Sequence, residues 1–142
     1  MLRLLIVMDE TTDVDLWAYT VLHYRVDEIY VVAPSAKREE LRVARRAFSK
    51  ATYVDDASEI PGNLVLVSPL TARLAPGCES LADFVHPLDA CYVFGPDNTH
   101  LDAAVLAGRT APRVYIPTHT DDAMHAHVAA AVVLWDRVVK HG

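Results

Sequence analysis

Six short runs of the chain are mostly apolar, and between them apolar residues recur at intervals of three and four. The runs occupy residues 2–8, 28–33, 52–54, 63–68, 90–94 and 113–116, and charged or turn-forming residues bound each of them. Apolar runs without polar alternation are typical of strands that are covered on both faces. Strands of this kind separated by helical segments predict an α/β fold with a parallel sheet.

The intervening segments predict helices with one apolar face each. The first helix follows cap residues at 11–13 and is expected to bury Val14, Trp17, Ala18, Val21 and Leu22. A more polar second helix is expected to bury Leu41, Ala44 and Phe48, and a short third one over residues 102–106 ends at Gly108. The last helix is predicted to begin at Asp121–Asp122 and to bury Met124, Val128, Val132, Trp135 and Val139.

Length and composition fit one domain spanning residues 1–142, because 142 residues can bury a sizeable core and no linker or repeat interrupts them. The first apolar run stops at Asp9, and no window approaches the 18 apolar residues of a membrane span. Cys78 and Cys91 lack the spacing of a metal or redox motif, which favours free thiols. These features predict a soluble, cytoplasmic protein.

The formal net charge of −6 is unevenly distributed along the chain. Residues 9–28 carry six acidic residues and one arginine, a net −5, whereas residues 37–50 carry six basic residues against two acidic ones, a net +4. A charged helix face is often simply solvated. The alternative is a surface that contacts the phosphates of RNA through Arg38, Arg42, Arg45 and Arg46.

Ligands of parallel α/β sheets bind at the carboxyl ends of the strands, which directs attention to the loops there. Gly95, Pro96 and Asp97 follow the fifth apolar run; they could form a ligand loop, or a tight turn whose Asp97 caps a helix. Residues 117–127 contain three histidines and two aspartates. No metal site is expected there, because two histidines two positions apart on a helix face different directions.

Three common catalytic motifs are absent from the sequence. It contains no G-x-x-x-x-G-K-[ST] phosphate loop, no G-x-G-x-x-G after the first strand and no G-x-S-x-G nucleophile turn. These absences argue against a P-loop nucleotidase, a standard dinucleotide enzyme and an α/β-hydrolase.

The chain resembles a known family over essentially its full length, and the motifs that carry the resemblance lie in its second half. The segments CYVFGPDNTHL, VYIPT and AMHAHVAAAVVLWDR are similar to the second and third motifs of the SpoU (TrmH-like) branch of the SPOUT methyltransferases. The most similar subfamily is the minimal single-domain one that 2′-O-methylates the wobble nucleotide of tRNA. The resemblance implies a SPOUT fold with a C-terminal trefoil knot, a homodimer, an RNA substrate and S-adenosylmethionine as cofactor.

The resemblance also implies where the cofactor and the reaction are located. Its cofactor loops correspond to Val67, Ser68, Pro69 and Leu70, to Gly95 and Asp97, to Ile116 and Thr118, and to Met124 and His125. The family has an Asn and then, six residues on, an Arg that activates the ribose hydroxyl; here these positions hold Asp13 and Tyr19. Asp13, Tyr19 and His125 are therefore the candidates for accepting the hydroxyl proton.

These departures leave three functions open. The first is an S-adenosylmethionine-dependent RNA 2′-O-methyltransferase with a divergent catalytic motif, whose substrate the subfamily resemblance implies to be tRNA. The second is a catalytically inactive dimer that binds S-adenosylmethionine or S-adenosylhomocysteine and acts in binding or sensing. The third is an α/β enzyme of another class that uses Asp97 and His125 on a small nucleotide-like substrate.

Overall fold

Strands and helices alternate along the chain, as the apolar pattern predicts. The computed structural model describes residues 1–43, 46–68, 77–96, 103–120 and 122–141. Within them lie the strands β1 (Leu2–Val7), β2 (Glu28–Val32), β3 (Thr52–Tyr53), β4 (Asn63–Val67), β5 (Glu79–Ser80), β6 (Ala90–Phe94) and β7 (Arg113–Tyr115). The α-helices are α1 (Val14–Leu22), α2 (Ser35–Val43) and α3 (Ala126–His141), and short 3-10 helices occupy Arg46–Phe48, Leu81–Asp83 and Ala103–Leu106.

The strands form one parallel sheet in the order β3-β2-β1-β6-β4-β7-β5. The six predicted strands are confirmed, each with bounds that agree within one residue. The sequence did not predict β5, because its two residues, Glu79 and Ser80, are polar and occupy an edge of the sheet.

Each face of the sheet is covered, which explains why the strands read as continuous apolar runs. One face packs against α1 and α3 in a cluster that includes Leu4, Ile6, Tyr92 and Phe94. The other face, with Leu5, Cys91 and Val93, packs against Ala57, Ile60 and Val105. Burial raises the pKa of the Cys91 thiol to about 12, so this thiol stays protonated within the core.

The helix predictions are confirmed in part. In α1 the predicted Val14, Trp17, Ala18 and Val21 are buried, but Leu22 at the end of the helix is exposed. In the second helical segment Leu41 is buried in α2, whereas the buried Phe48 belongs to a separate 3-10 helix. The predicted short helix is also a 3-10 helix, and it ends where Ala107 and Gly108 take positive φ angles of 52° and 80°.

The predicted face of the last helix is wrong for three of its five residues; the other two, Met124 and Val132, are partly buried against the core. The helix α3 begins at Ala126, and the side chains it buries are Ala126, Ala129, Ala130, Val133 and Leu134. The predicted Val128, Trp135 and Val139 are exposed, Trp135 by 61%. The helix has apolar residues on two opposite faces, and the face with alanines allows close packing on the sheet. Periodicity could not show which of the two faces would be buried.

A network of polar side chains fastens the second half of α3 to the sheet. Buried His86 lies 2.6 Å from the Tyr92 hydroxyl through Nδ1 and 2.6 Å from Asp136 Oδ2 through Nε2. Because a carboxylate only accepts, Nε2 carries the proton and Nδ1 accepts from Tyr92. Arg137 donates to the Tyr92 hydroxyl (3.0 Å), and Lys140 Nζ lies 2.9 Å from Asp136 Oδ2.

No helix in the described part of the chain is both long enough and apolar enough to cross a membrane.

Candidate functional site

The carboxyl ends of four adjacent strands finish at the same level. Ile6 pairs with Phe94, Leu66 with Val93 and Val67 with Val114. Extending these registers by one residue places Val7, Gly95, Ser68 and Tyr115 side by side across β1, β6, β4 and β7. The loops after these strands therefore begin at the same edge of the sheet. The strand order changes direction there, because β2 and β3 lie on one side of β1 and β4 lies on the other. Such a switch point is where ligands of open α/β sheets bind.

The predicted cofactor residues within the described part of the chain lie at or beside this edge. Ser68 is buried, and its N–H donates to Val114 O (2.8 Å), which joins the ends of β4 and β7. Val67 belongs to the main apolar cluster, and Ile116 and Met124 pack against it. These three side chains face the core, so the groups available to a ligand at these positions are mainly those of the backbone.

The loop after β1, residues 9–13, is held by its own side chains. The Asp9 carboxylate accepts from the Thr11 N–H (2.8 Å) and hydroxyl (2.6 Å), and the Asp9 N–H donates to the Thr12 hydroxyl (3.0 Å). The bonds that the Asp9 carboxylate accepts lower its pKa, with the Thr11 hydroxyl as the largest cause. The predicted catalytic residue Asp13 caps α1, and its Oδ1 accepts from the Leu16 N–H at 3.0 Å.

Helices α1 and α3 lie side by side and bring the remaining catalytic candidates to the same region. The Thr20 hydroxyl donates to His127 O (3.4 Å), and four residues later the Tyr24 hydroxyl donates to Ala131 O (2.8 Å). The two helices therefore run in the same direction from the carboxyl edge of the sheet. Tyr19 is 55% exposed on α1, and His125 immediately precedes α3.

The remaining predicted residues of the site are placed as follows. Gly95 directly follows β6, and Thr118 lies in the loop after β7, where its hydroxyl donates to Thr120 O (2.9 Å). Other predicted positions lie outside the described residues: Ala44, Arg45, Pro69, Leu70, Asp97 and Asp121, together with the side chain of Arg46.

The histidines near α3 are arranged differently from the prediction. His125 precedes the helix, so it and His127 are not on opposite sides of one helix. Their rings stack, with centroids 5.8 Å apart. Within the described ranges no group of three or more His, Cys, Asp or Glu side chains could hold a metal ion.

The acidic residues of 9–28 divide between the two edges of the sheet. Asp9, Glu10, Asp13 and Asp15 lie at or near the carboxyl edge, but Asp27 and Glu28 lie at the amino edge. There Asp27 accepts from the Leu2 N–H (2.7 Å), and Glu28 binds Arg3 and the Tyr30 hydroxyl. The acidic segment as a whole therefore does not adjoin the carboxyl edge, because the chain crosses the molecule between Asp15 and Asp27.

Three of the described basic residues of 37–50, namely Lys37, Arg38 and Arg42, have partners within the protein. Arg38 donates to Ala33 O (3.0 Å) and lies over the Tyr53 ring, and exposed Arg42 pairs with Glu39. Lys37 is only 7% exposed, and its Nζ donates to Thr12 O at 2.7 Å. Sequence reasoning counted Lys37 among surface charges; its position in the first turn of α2, directly after a strand, is the signal that could have set it apart.

Comparisons with known proteins give agreement at the level of structure. No family model matches the sequence, and no curated protein matches it either. Among solved structures, the SpoU methyltransferase AviRb from Streptomyces viridochromogenes, determined in complex with AdoMet, superposes with a TM-score of 0.74 and 17% identity. That superposition covers 99% of this chain and 58% of AviRb.

Two further structures differ in how much of their length is matched. A structure concerned with 2-OH methylation of C/U34 on tRNA superposes with a TM-score of 0.67 and 17% identity, over 99% of this chain and 98% of the other. TrmJ from Z. mobilis ZM4 gives 0.64 and 13%, over 95% and 66%. The chain thus spans less than two thirds of AviRb and TrmJ. It has the mixed α/β fold with a parallel sheet of these SpoU-type RNA methyltransferase structures, in agreement with the fold class that the resemblance implies.

Proposed function

We propose that this protein is an S-adenosylmethionine-dependent RNA 2′-O-ribose methyltransferase that acts on tRNA. The observation that carries the proposal is the set of level strand ends at the switch point of a fold shared with AviRb, which was determined with AdoMet bound. The C/U34 structure, matched over almost its whole length, supports tRNA as the substrate. Free thiols at Cys78 and Cys91 support a cytoplasmic location.

The residues at the strand ends fit S-adenosylmethionine. An adenosine needs backbone donors and acceptors beside apolar surface, and Ser68, Gly95 and Thr118 lie next to Val67, Ile116 and Met124. We propose that these residues, with His125 and with Pro69, Leu70 and Asp97 of the same loops, hold the cofactor within a trefoil knot. The bound cofactor supplies an electrophilic methyl group.

The chain itself must orient the ribose and accept the proton of its 2′-hydroxyl. Asp13, Tyr19 and His125 are the proposed acceptors. Asp13 caps the start of α1 and His125 immediately precedes α3, whereas Tyr19 is exposed on α1. The Asp13 carboxylate already accepts one N–H bond from Leu16, and an oxygen of a carboxylate can accept more than one.

We also propose that α2 and the segment after it bind RNA through Arg38, Arg42, Arg45 and Arg46. The pair between Arg42 and Glu39 does not oppose this, because exposed ion pairs contribute little and a phosphate can replace the carboxylate.

The homodimer is supported by the second apolar face of α3. Val128, Trp135 and Val139 recur along one side of this helix and are exposed, and Val138 lies next to them. Exposed apolar stripes of this kind mark surfaces that another protein surface covers. We propose that a second copy of the chain covers it.

Two measurements test the proposed function. Calorimetric titration with S-adenosylmethionine should show binding, and labelled-methyl transfer to tRNA should produce a nucleotide whose 3′ linkage resists alkaline hydrolysis, because the 2′-hydroxyl is blocked. Absence of binding at millimolar cofactor would contradict the proposal and leave an α/β enzyme of another class.

A second candidate function is a binding or sensing protein without catalysis. The observation that favours it is that exposed Tyr19 stands on α1 where the resemblance aligns the catalytic Arg of the family. Cofactor binding combined with no transfer to bulk tRNA or rRNA would favour this candidate over the enzyme.

A further inference from the structure

A buried lysine connects α2 to the loop after β1. Lys37 lies in the first turn of α2 and is 7% exposed. Its Nζ donates to Thr12 O (2.7 Å) and lies 3.2 Å from both carboxylate oxygens of Glu40. The three N–H donors of the ammonium group therefore have three acceptors, as a buried charge requires.

This arrangement differs from that of an ordinary charged helix face. Burying an ammonium group is costly unless its hydrogen bonds and charge are compensated, and ordering a long lysine side chain costs further entropy. A lysine needed only for solubility would avoid both costs by extending into water. The bond of Lys37 instead reaches a backbone carbonyl 25 residues earlier in the chain.

The carbonyl that Lys37 binds belongs to the residue before Asp13. The bonds of Asp9 with Thr11 and Thr12 close the loop on itself, but they do not fix the loop relative to α2. The bond from Lys37 does so, and it acts one residue before the cap of α1. It therefore ties α2 to the loop immediately before the Asp13 cap and the first turn of the helix that bears Tyr19.

We propose that Lys37 is a positioning residue for methyl transfer: it holds the 9–13 loop so that Asp13 and α1 face the level strand ends. The inference rests on the proposed function, because the reaction that it serves is the one proposed above. Positioning errors of about 1 Å in such groups reduce rates by up to about a hundredfold.

The test compares Lys37→Met, Lys37→Arg and Arg25→Met in steady-state methyl transfer to tRNA. Lys37→Met keeps the length of the side chain and removes its donors, so kcat should fall at least about tenfold while the KM for tRNA changes less than about twofold. Lys37→Arg retains donors and should recover most of the rate. Arg25→Met removes the same charge from an exposed site at the amino edge and should match the parent protein. A raised KM with unchanged kcat for Lys37→Met would overturn the inference and make Lys37 an RNA contact.

Amide hydrogen exchange keeps the two proposals distinguishable if no transfer is found. The N–H groups of Asp9, Thr11 and Leu16 are bonded within the loop and its cap. Lys37→Met should accelerate their exchange at least about tenfold, with no change in the strand amides of β1 and β6. Unchanged exchange at these three amides refutes the positioning role, whatever the activity. If Lys37→Met does not fold, Lys37→Gln, which keeps an uncharged donor, is measured in the same way.

Discussion

At the scale of residues, the chemistry proposed for this chain depends on a few side chains at the start of α1. The sequence resemblance aligns Asp13 and Tyr19 with an Asn and an Arg of the similar family; Asp13 caps α1, and Tyr19 lies on the same helix. Their identities could be read from the sequence. Their surroundings could not, because the bond from Lys37 to Thr12 O spans 25 residues and has no local signature.

Substituting Tyr19 tests whether it has taken over the role of the base. If its oxygen accepts the ribose proton, Tyr19→Phe should reduce methyl transfer at least about a hundredfold and leave cofactor binding unchanged. The matched control is Tyr24→Phe, which removes the hydroxyl bonded to Ala131 O and should cost about 1 kcal/mol of stability without slowing transfer. A Tyr19→Phe enzyme with the parent rate would exclude Tyr19 from the mechanism.

At the scale of elements, the strands were predictable and the orientation of α3 was not. A strand covered on both faces has apolar side chains at most of its positions, so β1, β4 and β6 stand out in the sequence. In α3 both faces are apolar, and alanine and valine on one side compete with valine and tryptophan on the other. How closely the helix can approach the sheet decides which side is buried, and the hydrophobic periodicity gives no information about that distance.

The outward face of α3 predicts a specific effect on assembly. Trp135→Glu places a charge in the proposed interface, so light scattering after size exclusion should show the mass of a single chain in place of two. Val85→Glu introduces the same charge at an exposed position on another segment and should leave the dimer intact. A parent protein that elutes as a monomer, or a Trp135→Glu variant that remains a dimer, would argue against this interface.

At the scale of the whole molecule, the sequence predicted the fold class, but not how distant segments are joined. The loops that follow β4, β6 and β7 were identified from the residues that end their strands. These strands are neighbours in the order β1-β6-β4-β7 and end at the same level. This order depends on long-range packing, which the sequence did not predict. The contact of His86 with Asp136, which is 50 residues away in the chain, likewise could not be predicted from the sequence.

The His86 network makes the stability of the molecule depend on pH. Burial lowers the pKa of His86 below its ordinary 6.5, although Asp136 opposes this shift. The unfolded chain therefore binds more protons than the native one below pH of about 6.5, so the stability present above this pH declines as the pH falls toward the native pKa. Thermal unfolding should show a lower midpoint at pH 5 than at pH 8.

The control variants separate His86 from the other histidines. His86→Phe should flatten the dependence between pH 5 and pH 8, whereas His119→Gln, at an exposed position, should retain that of the parent protein. A parent protein whose unfolding midpoint is equal at the two pH values would refute this role of His86.

The level strand ends determine which substitutions can locate a ligand site at the carboxyl edge of the sheet. A ligand held there would meet peptide groups more than side chains, since the side chains of Val67, Ile116 and Met124 face the core and Gly95 has none. Alanine scanning leaves peptide groups in place and would report many of these positions as silent. Substitutions that remove an N–H or fill the space above it, such as Thr118→Pro or Gly95→Val, would reveal the same positions as essential.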